Sequence, residues 1–325
     1  MPHDIDSLSR RIEDFISNIA FGEKPESLFN PVAYILSIGG KRVRPLLTLL
    51  AANLFGDEIE NALHPAVGIE IFHNFTLLHD DLMDKSDMRR GKPTVHKKWD
   101  DNTAILSGDA MLIEAYRHMQ SVPHEILPQT IKLFSDTAMD VCRGQQYDMD
   151  FEQRLDVTES EYIEMIGLKT AVLLACSLKM GAIVAGAPNQ DADLLYDFGI
   201  NIGLAFQLKD DLLDVFGDSA TFGKKIGGDI LNNKKTYLLI KALELTNKTQ
   251  KKELLNWITV EKFDPEEKIK AVKEIYDALN LKETSEKLIE EYYHAALKSL
   301  ESVSVTSIRK KQITTLAKNL MFRES

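Results

Sequence analysis

Two copies of one acidic pattern constrain this chain more than any other feature. Asp80-Asp81-Leu82-Met83-Asp84 and Asp210-Asp211-Leu212-Leu213-Asp214 both read DDxxD, and each lies within an otherwise apolar run. On a helix the first and last aspartates of each copy are four residues apart and project from one side, where like charges repel. A chain carrying two such clusters in apolar surroundings must fold so that both reach something cationic. Carboxylate clusters on facing helices suit Mg²⁺, which keeps several waters and takes further ligands from phosphates. A solvated acidic turn explains a single DDxxD but not a repeated one.

The rest of the sequence reads as helix. Leu8, Ile12, Phe15, Ile16 and Ile19 recur at helical spacing, and Pro31 and Gly39-Gly40 punctuate the next segment. Pro65 is expected in the first turn of a long helix that carries the first acidic cluster. Asp101 or Asn102 is the expected cap of a helix running through Met119. Further helices are expected over about 129–150, from Ser160 past Ala185, and over 193–215. Arg89 to Thr94 reads as a loop and Ser219 to Thr236 as irregular. The last third alternates Lys/Glu with Leu/Ile, broken at Asp264-Pro265, Asn280 and Ser299 to Ser307. With 10 Pro and 17 Gly in 325 residues, long helices are favoured over a turn-rich all-β fold. No stretch shows strand alternation flanked by turn signals, and no long linker appears. The expectation is one all-α domain spanning 1–325.

Composition removes several function classes. The chain has 39 basic and 50 acidic residues, a net charge of -11, so no broad basic surface is implied and nucleic acid is not an expected partner. Cys142 and Cys176 are the only cysteines, which rules out a disulfide framework or a four-cysteine zinc site and suits a reducing cytoplasmic location. Met1-Pro2-His3-Asp4 lacks the basic-then-apolar order of a signal peptide. The apolar stretch from Ala171 to Ala187 contains Ser177 and Lys179 and reads as a buried helix, with no transmembrane segment expected.

The cations sit beside the acidic clusters. Gly39-Gly40-Lys41-Arg42-Val43-Arg44-Pro45 places three cations after a flexible pair, a pattern suited to oxygen-rich anions. Arg89-Arg90-Gly91-Lys92 lies just past the first cluster, and Lys224-Lys225 with Lys234-Lys235 just past the second. This arrangement points to two diphosphate sites, one bridged by metal and one held mainly by cations. His73 projects close to the direction of Asp80, whereas His79 projects elsewhere and reads as structural. His64 and His96 have no zinc-ligand spacing. Lys169, within an apolar run, requires an anion beside it. Gln207 shares a side with Asp210, and Thr170 and Gln207 are alternatively core hydrogen-bonding residues.

Six ordered motifs resemble the trans-isoprenyl diphosphate synthases, or polyprenyl synthetases, over essentially the whole chain. They are GGKRVRP at Gly39 to Pro45, HDDLMDKSDMRRGKPT at His79 to Thr94, Gly144-Gln145, Lys169-Thr170, QLKDDLLD at Gln207 to Asp214, and FGKKIGGDILNNKKT at Phe222 to Thr236. The resemblance implies the all-α isoprenoid synthase helical bundle with a central cavity, as a homodimer with one complete site per subunit. It implies condensation of isopentenyl diphosphate with an allylic diphosphate (dimethylallyl, geranyl or farnesyl) and release of pyrophosphate. By the same resemblance Asp80, Asp81, Asp84, Asp210 and Asp214 hold three Mg²⁺, with Mn²⁺ as the alternative ion. Asp211, Lys169, Thr170 and Gln207 join them in the catalytic set, and Asp229 supports the second metal site indirectly. Arg89, Lys169, Lys224 and Lys234 bind the allylic diphosphate, with Lys225 the alternative to Lys224. Lys41, Arg44, His73 and Arg90 bind isopentenyl diphosphate.

Chain length also rests on the resemblance. Phe75 and Thr76, the fifth and fourth residues before Asp80, with no insertion in the DDxxD, are similar to short-chain geranylgeranyl (C20) synthases, with Phe72 as a second layer. Farnesyl (C15) and longer products are the alternatives. Helix arithmetic alone turns Thr76 toward the side of Asp80 and Phe75 away from it. A terpene cyclase has no need of a second cationic site at Lys41, Arg44 and Arg90, and a silent partner subunit is expected to lose an acidic cluster.

Overall fold

The protein, a computed structural model describing residues 3–22, 24–217 and 226–321, is built from helices, several of which start at a capping side chain such as Asp4, Asp100, Thr158, Asn247 or Asp264. In chain order these are α1 (Ile5–Ser17), α2 (Glu26–Ser37), α3 (Val43–Phe55) and α4 (Glu60–Met83). A hairpin of β1 (Met88–Arg89) and β2 (Lys92–Pro93) leads to α5 (Val95–Lys98), α6 (Asp101–Met119) and α7 (Leu127–Glu152). Next come α8 (Glu159–Ile166), a π-helical turn (Gly167–Ala171), α9 (Val172–Val184) and α10 (Asn189–Phe216). The remainder is α11 (Gly228–Leu231), α12 (Tyr237–Leu245), α13 (Lys248–Thr259), α14 (Pro265–Ala278), α15 (Leu281–Ser302) and α16 (Ser307–Met321). The expected all-α class holds.

Two compact units emerge from the backbone contacts. One comprises Met1–Asp136, Cys176–Tyr196 and Val303–Ile313; the other comprises Thr137–Ala175, Asp197–Ser302 and Thr314–Ser325. In the first, α4 packs on α3 and α6, α2 on α6, and α1 on α3. Helix α3 is apolar all round and accordingly buried from Pro45 through Leu54, while Ala66, Val67, Ile69, Ile71 and Phe72 bury the middle of α4. Each such large apolar side chain contributes about 1.5–3 kcal/mol by leaving water. In the second unit α12 packs on α8, α14 and α15, and α14 packs on α11, α13 and α15.

Local details depart from the sequence expectations for identifiable reasons. The cap of α6 is Asp100, whose carboxylate accepts from the Thr103 amide at 2.9 Å, one residue before the expected pair. Pro65 lies inside α4, beyond the first turn. The expected loop over Arg89–Thr94 contains the hairpin: Met88 pairs with Pro93 and Arg89 with Lys92. Its two central residues, Arg90 (φ 49°) and Gly91 (φ 74°), both adopt the left-handed conformation of a tight two-residue turn. Two-residue strands are too short to show alternation. The apolar run near Ala171 is also longer than it first reads. Glu159–Val184 is long and apolar enough to cross a membrane, with a mean hydropathy of 1.6, but 72% of its apolar window is buried within the protein.

Candidate functional site

Helix α4 and the hairpin after it assemble the predicted residues of the first unit. Asp81 is buried and accepts two hydrogen bonds from Arg89, Nε to Oδ2 at 2.7 Å and Nη2 to Oδ1 at 2.8 Å. This fork-on-fork pairing fixes Arg89 eight residues downstream. Asp80 is half-buried and Asp84 exposed at the helix end, where the Asp84 amide donates to the Asp80 carbonyl.

A cationic cluster forms at the start of α3. Arg44 Nη1 lies 3.1 Å from His73 Nε2, which requires that ring nitrogen to accept. Burial, followed by the charges of Arg44, Arg90, Arg89 and Arg42, drives the His73 pKa well below its ordinary value, so the ring is neutral. Burial lowers Arg44 to about 10, opposed by Glu70 and reinforced by Arg90. The Nε of Arg44 is sealed from solvent with no hydrogen-bond partner among the described residues. Arg90 lies across Gly40, where a Cβ would come within 2.7 Å of its Nη1, so a side chain at position 40 would displace the guanidinium. Lys41 is exposed. Arg44 and Arg90 thus supply positive charge, and Arg44 an unused donor, to an anion beside the neutral His73 ring.

Behind this cluster is a group that sequence reasoning missed. Arg42, the cap of α3 at φ 44°, is 6% exposed and donates to Glu70 at 2.7 Å, Glu13 at 3.1 Å and the Leu36 carbonyl at 2.7 Å. The sequence shows Arg42 only as one of three adjacent cations. Its burial depends on Glu70, which also accepts from Asn74 Nδ2 at 3.0 Å.

Aromatic rings back the lower part of α4. Phe72 is buried, with its ring centroid 5.5 Å from Phe75 and 5.2 Å from Phe134, and Phe134 in turn meets Tyr116 at 4.9 Å. Thr76 turns its hydroxyl back to the His73 carbonyl at 2.8 Å. His79 has the structural setting expected of it: it meets Phe75 at 4.7 Å and its Nε2 faces the Ile105 carbonyl at 3.2 Å.

The second unit holds the other acidic cluster in a hydrogen-bond chain. Thr170 donates to Gln207 Oε1 at 3.1 Å, Gln207 Nε2 donates to Asp211 Oδ1 at 2.9 Å, and the Tyr162 hydroxyl donates to Asp211 Oδ2 at 2.5 Å. Burial, followed by the nearby charge of Asp229, pushes Asp211 up to about 7. Asp214 accepts the Asp229 amide at 2.9 Å, and Asp210 is half-buried. The anion that Lys169 needs is Asp148, at 2.5 Å. Gly144 allows this approach, because a Cβ there would meet the Lys169 backbone nitrogen at 2.3 Å. Asp148 and Tyr162 were not identified from sequence; the signal for Asp148 is its place one turn after Gly144. Lys234 is exposed, and Lys224 and Lys225 lie outside the described residues.

The donor set fits Mg²⁺ bound together with a phosphate ligand. In both clusters the second aspartate is buried and hydrogen-bonded, while the first and fifth retain exposure. Among the described residues no three His, Cys, Asp or Glu side chains converge into a protein-only metal cage. Mg²⁺ needs none, since it takes one or two carboxylates with waters and substrate oxygens.

The family described as polyprenyl synthetase matches residues 25–278. The chain is 37% identical over 300 residues to a geranylgeranyl diphosphate synthase of Sulfolobus acidocaldarius, covering 91% of this chain and 90% of that protein. It is 41% identical over 239 residues to a geranylfarnesyl diphosphate synthase of Natronomonas pharaonis, covering 68% and 70%. A crystal structure of a geranylgeranyl pyrophosphate synthase superposes with a TM-score of 0.94 at 48% identity, covering 99% of this chain and 100% of that one.

Proposed function

The chain belongs to the polyprenyl synthetase family and is a prenyltransferase of the isoprenyl diphosphate synthase type, and on that premise we propose that it makes geranylgeranyl diphosphate (C20). The reaction joins isopentenyl diphosphate to dimethylallyl, geranyl and then farnesyl diphosphate. The observation that carries the diphosphate reading is the Arg44, His73 and Arg90 cluster, with its sealed and unused Arg44 Nε. An unused buried donor is costly unless an anion completes it. We assign Lys41, Arg44, His73 and Arg90 to isopentenyl diphosphate, and Arg89, Lys169, Lys224 and Lys234 to the allylic diphosphate.

Asp80, Asp81, Asp84, Asp210 and Asp214 are the proposed Mg²⁺ ligands, with Asp81 and Asp211 also fixing Arg89 and Gln207. Bound Mg²⁺ would neutralise the charge that develops on departing pyrophosphate. The C1 to oxygen bond of the allylic substrate breaks, leaving an allylic cation. Gln207 Oε1 and the Thr170 oxygen offer it dipoles without a strong nucleophile, and their mutual hydrogen bond fixes both. The isopentenyl double bond attacks C1, and a proton passes to pyrophosphate.

For product length, the rings of Phe75, Phe72, Phe134 and Tyr116 support a closed floor, as does the likeness to geranylgeranyl synthases. The 41% identity to a geranylfarnesyl synthase favours C25 as the second reading. We further propose that residues 1–325 act as one functional domain and that the protein is a cytoplasmic homodimer. The free thiols Cys142 and Cys176 support that location, and the exposed apolar side of α6, with Leu106 at 60% and Ile113 at 63%, supports the dimer.

Kinetics with each substrate varied test the site assignment. R44A and K41A should raise the KM for isopentenyl diphosphate more than that for the allylic primer, each lost contact costing about 1.5–3 kcal/mol. An effect confined to the allylic KM would reverse the assignment.

A further inference from the structure

Lys268 is 1% exposed, although it lies in a helix that otherwise reads as a solvated alternation of Lys and Glu. Its ammonium donates to Asn233 Oδ1 at 2.8 Å and the Leu231 carbonyl at 3.3 Å, and it sits 4.2 Å from the centroid of the Phe263 ring. Among the described residues no carboxylate pairs with it. An ammonium buried against neutral acceptors is costly, so the segment that it grips must gain from it.

That segment, residues 227–235, holds the second acidic cluster. The Gly227 amide donates to the Asp214 carbonyl at 2.6 Å, and the Asp229 amide to Asp214 Oδ2 at 2.9 Å. The Lys234 amide returns to the Asp229 carbonyl at 2.9 Å. Between them, Asn233 adopts φ 52° and donates from Nδ2 to the Ile258 carbonyl at 3.0 Å. Helix α14 supports both ends of the segment. Lys268 holds the Leu231 and Asn233 end, while its neighbour Ile269 packs so tightly against Gly227 that a Cβ there would come within 2.6 Å of Ile269 Cδ1. Lys235, also buried, donates to the Asn233 carbonyl at 3.1 Å and the Glu152 carbonyl at 3.2 Å.

We propose that Lys268 is a positioning residue for the diphosphate site of the second acidic cluster: by clamping Leu231 and Asn233 it sets the turn that aims Lys234 and delivers the Asp229 amide to Asp214. The proposal rests on the prenyltransferase reading given above. Methionine matches the apolar stem of lysine in length but has no ammonium, and glycine accepts the φ of residue 233 while removing its side-chain acceptor.

The full-length wild type, K268M and N233G are compared by calorimetric titration with inorganic pyrophosphate in the presence of Mg²⁺, by thermal melting, and by substrate-varied kinetics. K268M should bind pyrophosphate about 10-fold more weakly, the scale on which supporting partners of a metal site act, and N233G should shift in the same direction by a smaller factor. Both should raise the allylic KM or lower kcat while the KM for isopentenyl diphosphate stays within about twofold of wild type. Lower melting temperatures with pyrophosphate affinity unchanged in the folded variants overturn the proposal. Should K268M fail to fold, N233G decides by the same criterion. Wild type that binds pyrophosphate but elongates no allylic primer contradicts the prenyltransferase reading separately.

Discussion

Arg42 and Glu70 form a buried ion pair at 2.7 Å that joins the start of α3 to the middle of α4. Burial alone would lower the Arg42 pKa, but the carboxylates of Glu70 and Glu13 together more than offset this and leave it raised. The pair fixes Arg42 in a left-handed cap between Lys41 and Val43, two residues before Arg44. Removing one partner of such a pair leaves the other charge buried and uncompensated, at a cost of about 3–5 kcal/mol. E70A should therefore lose about that much unfolding free energy in urea. Among molecules still folded, the KM for isopentenyl diphosphate should rise. Wild-type stability in E70A would show that the pair holds nothing in place.

D210A and D81A should each lower kcat at least about 100-fold, for different reasons. Asp210 is half-buried, whereas Asp81 is buried and accepts from Arg89 with both oxygens. D81A should therefore also lower the melting temperature, because both Arg89 contacts are lost with the carboxylate. Near-normal turnover in either folded variant contradicts the assignment.

The ring stack on α4 predicts a directional change in product length. F75A should shift products from C20 to C25 and longer, because the growing tail meets no wall at that position. Phe72 is enclosed between Phe75 and Phe134, so F72A should destabilise the fold by about 3–5 kcal/mol and lengthen products less. T76F should shorten products toward C15. Chromatography of dephosphorylated products from each variant distinguishes these outcomes, and an unchanged distribution in F75A moves the floor to another helix.

A histidine pair away from both acidic clusters predicts a pH effect. His64 Nδ1 and His118 Nδ1 lie 3.1 Å apart, and Glu114 faces His118 Nε2 at 3.8 Å. Burial, then the charges of His64 and Arg117, lowers His118 to about 4. The unfolded chain takes up that proton near about 6.5 and the native state does not. Stability is therefore lost as pH falls from about 6.5 toward about 4, where the unfolded state binds more protons. The melting temperature of wild type should fall more steeply across this window than that of H118Q. Parallel slopes would show that His118 does not contribute.

The helices and the acidic clusters were legible because both are local patterns. The DDxxD spacing works within one helix, and the break at Asp264-Pro265 falls where α14 begins. Partners brought together by tertiary packing were not legible. Asp148 meets Lys169 across 21 residues, and Tyr162 meets Asp211 across 49, with no periodic signal joining them. Arg42 read as an anion-facing cation because burial cannot be seen in a run of basic residues. Lys268 carried a weak clue, since it shares a helix face with Val272 and Ile275, both buried.

The most direct measurement is the product formed when the wild-type protein, Mg²⁺ and labelled isopentenyl diphosphate are incubated with dimethylallyl, geranyl or farnesyl diphosphate in turn. Chromatography after dephosphorylation should give all-trans geranylgeraniol from every accepted primer, with label incorporated only when an allylic diphosphate is present. A cyclic hydrocarbon formed without consumption of isopentenyl diphosphate, or no incorporation with any primer, would contradict the account.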